Sequence, residues 1–157
     1  MTEWEGLVRL VIAAAIGGAI GFERETLDKA AGLRTHMLVC TGAALFMVCS
    51  LLLVEEFADS GMVSQVDPTR IGSTIVTGVG FLGGGIIFKN EERVRGLTTA
   101  AGLWVAAAIG MAAGSGFYIT AIGGGVLTLI ILVLLRRFEQ RLDFKPDSIE
   151  RSFPRDE

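Results

Sequence analysis

The apolar residues of this chain are gathered into long blocks, and charged residues interrupt them only at their ends. The segments 37–54 and 71–88 each contain 18 residues without a charge, and a longer charge-free block extends from Leu97 to Leu135. About 20 residues at 1.5 Å each cross the hydrocarbon of a bilayer. One helix as long as the third block would overshoot any bilayer, so we expect that block to contain two spans.

The pattern as a whole predicts an all-α, polytopic membrane bundle of about five transmembrane helices. Arg9 is the one charge inside the first span, and its side chain is expected to snorkel outward. The glycines of Gly114-Ser115-Gly116 predict the turn before the last span. The predicted spans are 5–22, 37–54, 71–88, 97–114 and 117–135, which give a transmembrane domain over 1–137 and a short polar cytoplasmic tail over 138–157.

The loop charges predict how the bundle lies in the membrane. Twelve basic residues fall on one side of the predicted spans, whereas the other side has only Arg9 and Arg70. Because basic residues are retained in the cytoplasm, the N-terminus is expected outside and the C-terminus inside. The twelve are Arg24, Lys29, Arg34, Lys89, Arg93, Arg95, Arg136, Arg137, Arg141, Lys145, Arg151 and Arg155.

Composition agrees with a membrane class and draws attention to glycine. The chain is 51% hydrophobic, has a mean hydropathy of +0.56 and contains 21 glycines, which excludes an ordinary water-soluble domain. Small residues four positions apart allow transmembrane helices to approach closely. Such stripes predict either internal packing or a homo-oligomer face, and they contain Ala13, Gly17, Gly21, Gly84, Gly102, Ala106, Gly110 and Gly114.

The third span is unusual because five glycines occupy eight positions. Each glycine weakens a helix by about 1 kcal/mol relative to alanine. Broken helices at membrane depth build ion sites in many transporters, because unwound carbonyl groups can hold ions. Two interpretations remain open, a functional break and close packing. The five are Gly78, Gly80, Gly83, Gly84 and Gly85.

Few residues are candidates for chemistry, and we expect no enzymatic activity and no catalytic residues. His36 is the one histidine, and at the start of the second span it is expected to be wetted by solvent. Glu23, Glu25 and Asp28 follow the first span and are weak candidates for a hydrated Mg²⁺, which needs only one or two carboxylates. The alternative is a solvated loop with surface ion pairs. No other cofactor is expected.

Three stretches, taken in order, resemble the MgtC/SapB family of bacterial inner-membrane proteins. They are GFERE with KAAGLRTHMLVCTGAALF (21–25 and 29–46), DPTRI with GVGFLGGGIIF (67–71 and 78–88), and VRGLTTAAGLWVAAAIGMAAGSGFY (94–118). The resemblance implies a multi-pass inner-membrane protein linked to magnesium limitation, survival within host cells and restraint of membrane energetics. It also implies action through other membrane proteins, including the F-type ATP synthase, and direct magnesium transport has been proposed for the family.

The resemblance assigns a functional motif and marks one departure. The best-known members continue into a soluble C-terminal domain, whereas about 22 residues follow the last span here, so the resemblance covers the membrane domain. The motif positions are Glu23, Arg24, Glu25, Lys29, Arg34, Thr35, His36, Asp67, Arg70, Gly80, Gly83, Gly85, Arg95, Gly96, Thr98, Thr99 and Trp104.

Two functions are therefore expected. The first is a non-enzymatic protein that modulates magnesium or ion homeostasis, or a membrane complex such as the ATP synthase, through helix–helix contacts. The alternative is a transporter or channel for Mg²⁺ or another small ion, with its site at the glycine-rich third span. The expected partners are the lipid bilayer and either a second copy or another membrane protein, with no nucleic acid.

Overall fold

The computed structural model describes residues 1–59, 68–89 and 94–141, which form a bundle of helices. The predicted all-α class is confirmed, and a very short antiparallel hairpin, which the sequence did not predict, lies before the fourth long helix. The elements are α1 (Glu3–Glu25), α2 (Leu33–Asp59), α3 (Pro68–Ile86), β1 (Phe88–Lys89), β2 (Val94–Arg95), α4 (Leu97–Gly114), α5 (Tyr118–Ile130), a π-helical turn (Ile131–Leu135) and α6 (Arg136–Arg141).

The long apolar block is divided where the glycines predict a turn. Helix α4 ends at Gly114 and α5 begins at Tyr118. Gly116 has φ +84°, a conformation that side chains other than glycine rarely adopt. The last helix then continues through the π-helical turn to Arg141, beyond the predicted end of the fifth span at Leu135.

Within the described ranges, four helical segments are long and apolar enough to cross a membrane. Helix α3, which occupies the predicted third span, does not qualify by composition. Its 19 residues include Ser73, Thr74, Thr77 and six glycines, which lower its hydropathy. The four segments are Glu3–Glu25, Leu33–Phe57, Leu97–Gly114 and Tyr118–Phe138.

Helix α2 packs against α1, α3 and α4. Contacts at both ends show that it is antiparallel to α1, since Gly6 approaches Val48 and Gly21 approaches Leu33. Along its length it is parallel to α4, which contacts it near His36, Cys40 and Ala44. At one end of the bundle α1, α3 and the last helix finish and α2 and α4 begin. We call it the basic end, because Arg24, Lys29, Arg34, Lys89 and Arg95 lie there.

Glycines let α2 pack closely against both neighbouring helices. A Cβ added at Gly17 of α1 would lie 2.7 Å from Cys40 Cβ, and one added at Gly114 of α4 would lie 2.5 Å from the Ala44 carbonyl oxygen. An added Cβ at Gly110 would collide with the Cys40 carbonyl oxygen. The seam of the bundle therefore depends on residues without side chains.

The structure separates the predicted packing residues into two groups. Gly84 is exposed, and a Cβ added there would meet no atom of the described residues within 4 Å, so no close helix contact requires glycine at this position. It lines an open apolar cavity together with Leu82 and Leu103. The buried group contains Ala13, Gly17, Gly21, Gly102, Ala106, Gly110 and Gly114.

Candidate functional site

The acidic and basic motif residues after the first span form a fixed structure at the basic end. Arg24 is 3% exposed, although it ends a membrane-length helix. Its Nε donates to Glu23 Oε2 at 2.5 Å and its Nη2 donates to Glu23 Oε1 at 2.9 Å. This two-bond geometry is the strong form of an arginine–carboxylate pair. The pair neutralises a charge that would be costly to bury alone.

Glu25 has a structural partner of its own. Its Oε2 accepts a hydrogen bond of 2.8 Å from the backbone N–H of Leu33, the first residue of α2. A Cβ at Gly32 would collide with the same carboxylate oxygen, so glycine is required for this close approach. A helix N-terminus carries unpaired N–H groups and favours negative charge. Glu25 therefore fastens the end of α1 to the start of α2.

These contacts bear on the three weak metal candidates. Glu23 is paired with Arg24, Glu25 caps α2, and Asp28 is an exposed turn residue with φ +49°. In the described ranges, no group of three or more His, Cys, Asp or Glu residues is placed so that it could hold a metal ion. Magnesium binding by these carboxylates stays a prediction.

His36 is not wetted, contrary to the expectation from its position, because its side chain is fully buried between helices. Its Nδ1 lies 3.0 Å from the Gly32 carbonyl oxygen. A carbonyl only accepts, so Nδ1 carries the proton and donates it. Nε2 is buried and has no hydrogen-bond partner among the described residues. It points at Gly102 of α4, where an added Cβ would lie 3.5 Å away.

The motif residues of the hairpin and of α4 include a glycine that the backbone requires, a buried threonine and several exposed side chains. Gly96 has φ +91°, and a Cβ there would collide with the carbonyl oxygen of Ile86 at the end of α3. This glycine therefore allows the hairpin to close against α3. Thr99, in the first turn of α4, is buried. The exposed motif residues around this end are Lys29, Arg34, Arg95, Thr98 and Trp104, and Thr35 is half-buried.

Helix α3 is continuous through its glycines, so the broken helix considered from the sequence is absent from the described part of the chain. Gly83 faces α4, where an added Cβ would lie 3.5 Å from Ala100 Cβ. At Gly78, Gly80 and Gly85 an added Cβ would meet no atom within 4 Å. Arg70 is exposed near the start of α3, and Asp67 lies outside the described residues.

One face of α3 is made of small residues that are exposed. Ser73, Thr77, Gly80 and Gly84 are spaced by four, three and four positions, so they share one face of the helix. All four are exposed. The two hydroxyl groups donate to backbone carbonyls of α3 itself, Ser73 to Arg70 and Thr77 to Ser73. We call these four residues the small-residue face.

A second open surface lies between α2 and α3. Two adjoining cavities of about 520 Å³ and 660 Å³ share Leu82 and are lined almost entirely by apolar residues. Thr35 lines the cavity nearer the basic end, and Phe46 lines the other. We call the two cavities together the α2–α3 groove. Neither the groove nor the hairpin was predicted, because both depend on how far apart the helices lie.

Arg9 also differs from expectation, because it does not simply snorkel outward. Its Nη1 donates a 2.9 Å hydrogen bond to the carbonyl oxygen of Gly114, at the C-terminus of α4. A cation is stabilised there by the unpaired carbonyls of the helix end. Gly116 leaves room for the guanidinium, since a Cβ would lie 3.0 Å from Nη2.

These features define a polytopic α-helical membrane protein whose seam consists of glycines and whose polar core lies at one end of the bundle. The chain belongs to the MgtC family, whose model matches residues 10–141. The motif stretches 67–71 and 94–118, which precede and follow the glycine-rich part of α3, fall within that match. No solved structure matches this one.

Curated relatives of the chain support the same membership. It is 48% identical over 140 residues to a protein of Escherichia coli (strain K12) named "Putative magnesium transporter YhiD", covering 88% of this chain and 64% of the relative. It is 47% identical over 133 residues to protein MgtC of Brucella abortus (strain 2308), covering 85% and 52%. It is 40% identical over 144 residues to protein MgtC of Salmonella typhimurium (strain 14028s), covering 92% and 58%. The chain thus spans less than two thirds of the length of these relatives.

Proposed function

We propose that this chain is a non-enzymatic protein of the bacterial inner membrane that acts in magnesium homeostasis by binding another membrane protein through α3. The proposal rests on the small-residue face, whose four residues are exposed and at whose two glycines an added Cβ would meet no atom of the described residues within 4 Å. Small residues let a second helix come close enough for backbone contacts. The magnesium role is supported by the name of the relative from Escherichia coli.

The composition of α3 supports a covered position for this face. Ser73, Thr77 and the glycines expose backbone and hydroxyl oxygen, and α3 is not among the four described segments that are long and apolar enough to cross a membrane. Polar backbone atoms are poorly solvated by lipid. A partner helix on this side would replace that lipid contact, and a second copy of the chain is one form such a partner can take.

The alternative proposal, a transporter or channel for Mg²⁺ or another small ion, has less support from the geometry. It places an ion site at the glycine-rich part of α3, where unwound carbonyl groups would bind the ion. That segment is a continuous helix here. The cavities beside it are lined by Phe81, Leu82, Leu103 and similar residues, which do not replace the water of a hydrated cation.

Growth in magnesium-limited medium tests the partner contact directly. A strain that depends on this chain is supplied with Gly80→Leu, which places a bulky side chain on the small-residue face without a clash among the described residues. Gly123→Leu is the matched control, because Gly123 is equally open and exposed but belongs to α5 and lines neither cavity of the groove. We expect Gly80→Leu to lose growth at normal membrane levels and the control to keep it. Full growth with Gly80→Leu would contradict the proposal.

A further inference from the structure

The α2–α3 groove has the dimensions of a site for one lipid chain. On α2 it is lined from Thr35 to Phe46, which is about 16 Å at 1.5 Å per residue. On α3 it is lined from Ile71 to Ile86, about 22 Å on the same basis. The groove is therefore at least as long as one leaflet of hydrocarbon, about 15 Å, and shorter than the full thickness of about 30 Å.

The lining of the groove is suited to hydrocarbon. Leu38, Val39 and Phe46 of α2 face Ile75, Val79 and Leu82 of α3 across it. Gly42 and Gly78 contribute no side chain, which leaves the space between the helices open. On α2 the groove ends at Phe46 although that helix continues to Asp59, so a helix that crossed the membrane beside α2 would extend beyond the groove.

Three basic residues lie close in sequence or strand register to the end of the groove at the basic end. Arg34 precedes the lining residue Thr35, and Lys89 follows Ile86 by three residues; Arg95 is paired with Phe88 in the hairpin. All three basic side chains are exposed, and none forms an ion pair within the described ranges. Phe88 of the same hairpin is 66% exposed, which suits a position at the membrane boundary. Basic residues at this level attract anionic lipid headgroups.

We propose that the α2–α3 groove binds one anionic phospholipid, with an acyl chain between α2 and α3 and the phosphate group among Arg34, Lys89 and Arg95. The bound lipid fills the space that α2 and α3 leave between them and holds α3 against the rest of the bundle. Gly84 lies where the groove meets the small-residue face, whereas Ser73, Thr77 and Gly80 of that face line neither cavity. The two proposals can therefore fail separately.

Native mass spectrometry of the purified full chain tests the acyl-chain part of this proposal, with phosphatidylglycerol as the probe. The wild-type chain is expected to retain one phosphatidylglycerol molecule. Gly78→Leu fills the groove and is expected to bind the lipid roughly tenfold more weakly, because the added side chain occupies the space of the acyl chain. Gly80→Leu adds the same side chain outside the groove and is expected to bind as the wild type does. Equal retention by the wild type and Gly78→Leu would overturn the proposal.

A second comparison tests the headgroup without altering the helices. Arg34→Gln and Arg95→Gln change exposed side chains, so both variants are expected to fold normally. The wild type is expected to prefer phosphatidylglycerol to phosphatidylcholine, and the double variant is expected to lose that preference. The same affinity of the wild type for both lipids would overturn the assignment of an anionic lipid. Disulfide trapping of a second copy within the groove, through cysteines placed at Leu38 and Leu82, would overturn it as well.

Discussion

At the scale of single residues, the glycines of this chain serve three different purposes. Gly17, Gly110 and Gly114 allow backbones to touch, because a side chain at any of them would collide with α2. Gly96 and Gly116 adopt left-handed conformations that end or begin helices. Gly78, Gly80, Gly84 and Gly85 are open toward the surroundings of the bundle. Spacing in the sequence identified the first group but could not separate it from the third.

Alanine substitution at Gly110 and Gly84 distinguishes these purposes. At Gly110 the new Cβ would collide with the backbone carbonyl of Cys40, which cannot move aside as a flexible side chain would. We expect Gly110→Ala to destabilise the chain by about 1–3 kcal/mol, the usual cost of overpacking. Gly84→Ala has free space and is expected to stabilise by up to about 1 kcal/mol through helix propensity. Thermal unfolding in detergent measures both, and equal melting temperatures would contradict the assigned packing.

At the scale of helices and loops, α1 and α2 are joined by side-chain contacts as well as by the loop between them. Glu25 caps α2, the Glu23–Arg24 pair lies beside it, and His36 bonds back to Gly32. The sequence indicated a charged segment here but left open whether it was a solvated loop or a metal site. Which of the neighbouring charged residues pair with one another depends on the path of the loop. The spacing of residues in the sequence does not determine that path.

Substitution of Glu25 tests this cap. Glu25→Ala removes the acceptor for the Leu33 N–H, and we expect a loss of about 1 kcal/mol, as for other N-terminal caps. Glu25→Gln keeps an oxygen acceptor and is expected to lose less. Hydrogen exchange at the first turn of α2 reports the change locally. Faster exchange in the glutamine variant than in the alanine variant would be inconsistent with capping.

At the scale of the whole molecule, the apolar pattern predicted the helices with good accuracy, including the division of the longest block at Gly114 to Gly116. It also predicted that small residues would form the seam, and α1, α2 and α4 meet through them. Helix α3 forms where the third span is predicted, but glycine, serine and threonine lower its hydropathy below that of the other four segments, so its crossing of the membrane stays a prediction. The groove beside α3 and the exposed face are consequences of packing distances, which a pattern of residue types does not contain.

The orientation remains a prediction that depends on α3. An N-terminus outside and a C-terminus inside require an odd number of crossings, so α3 has to cross with the four more apolar helices. Antiparallel packing of α3 on α4, from Gly83 near Ala100 to Gly72 near Met111, is compatible with that crossing. We expect a green fluorescent protein fused to the C-terminus to fluoresce, as it does in the cytoplasm. The orientation would be contradicted by a fusion that is expressed normally but does not fluoresce, together with activity of a reporter enzyme that works only in the periplasm when it is fused at the same position.

The most direct test of the central claim is the flux of Mg²⁺ through the purified chain in sealed liposomes. The claim is that the chain acts by contact with another membrane protein and does not itself carry ions. It predicts that Mg²⁺ entry, measured with a trapped fluorescent indicator, stays at the level of empty liposomes. Robust flux that Glu25→Gln abolishes, while the protein stays folded, would contradict the claim and favour the transporter.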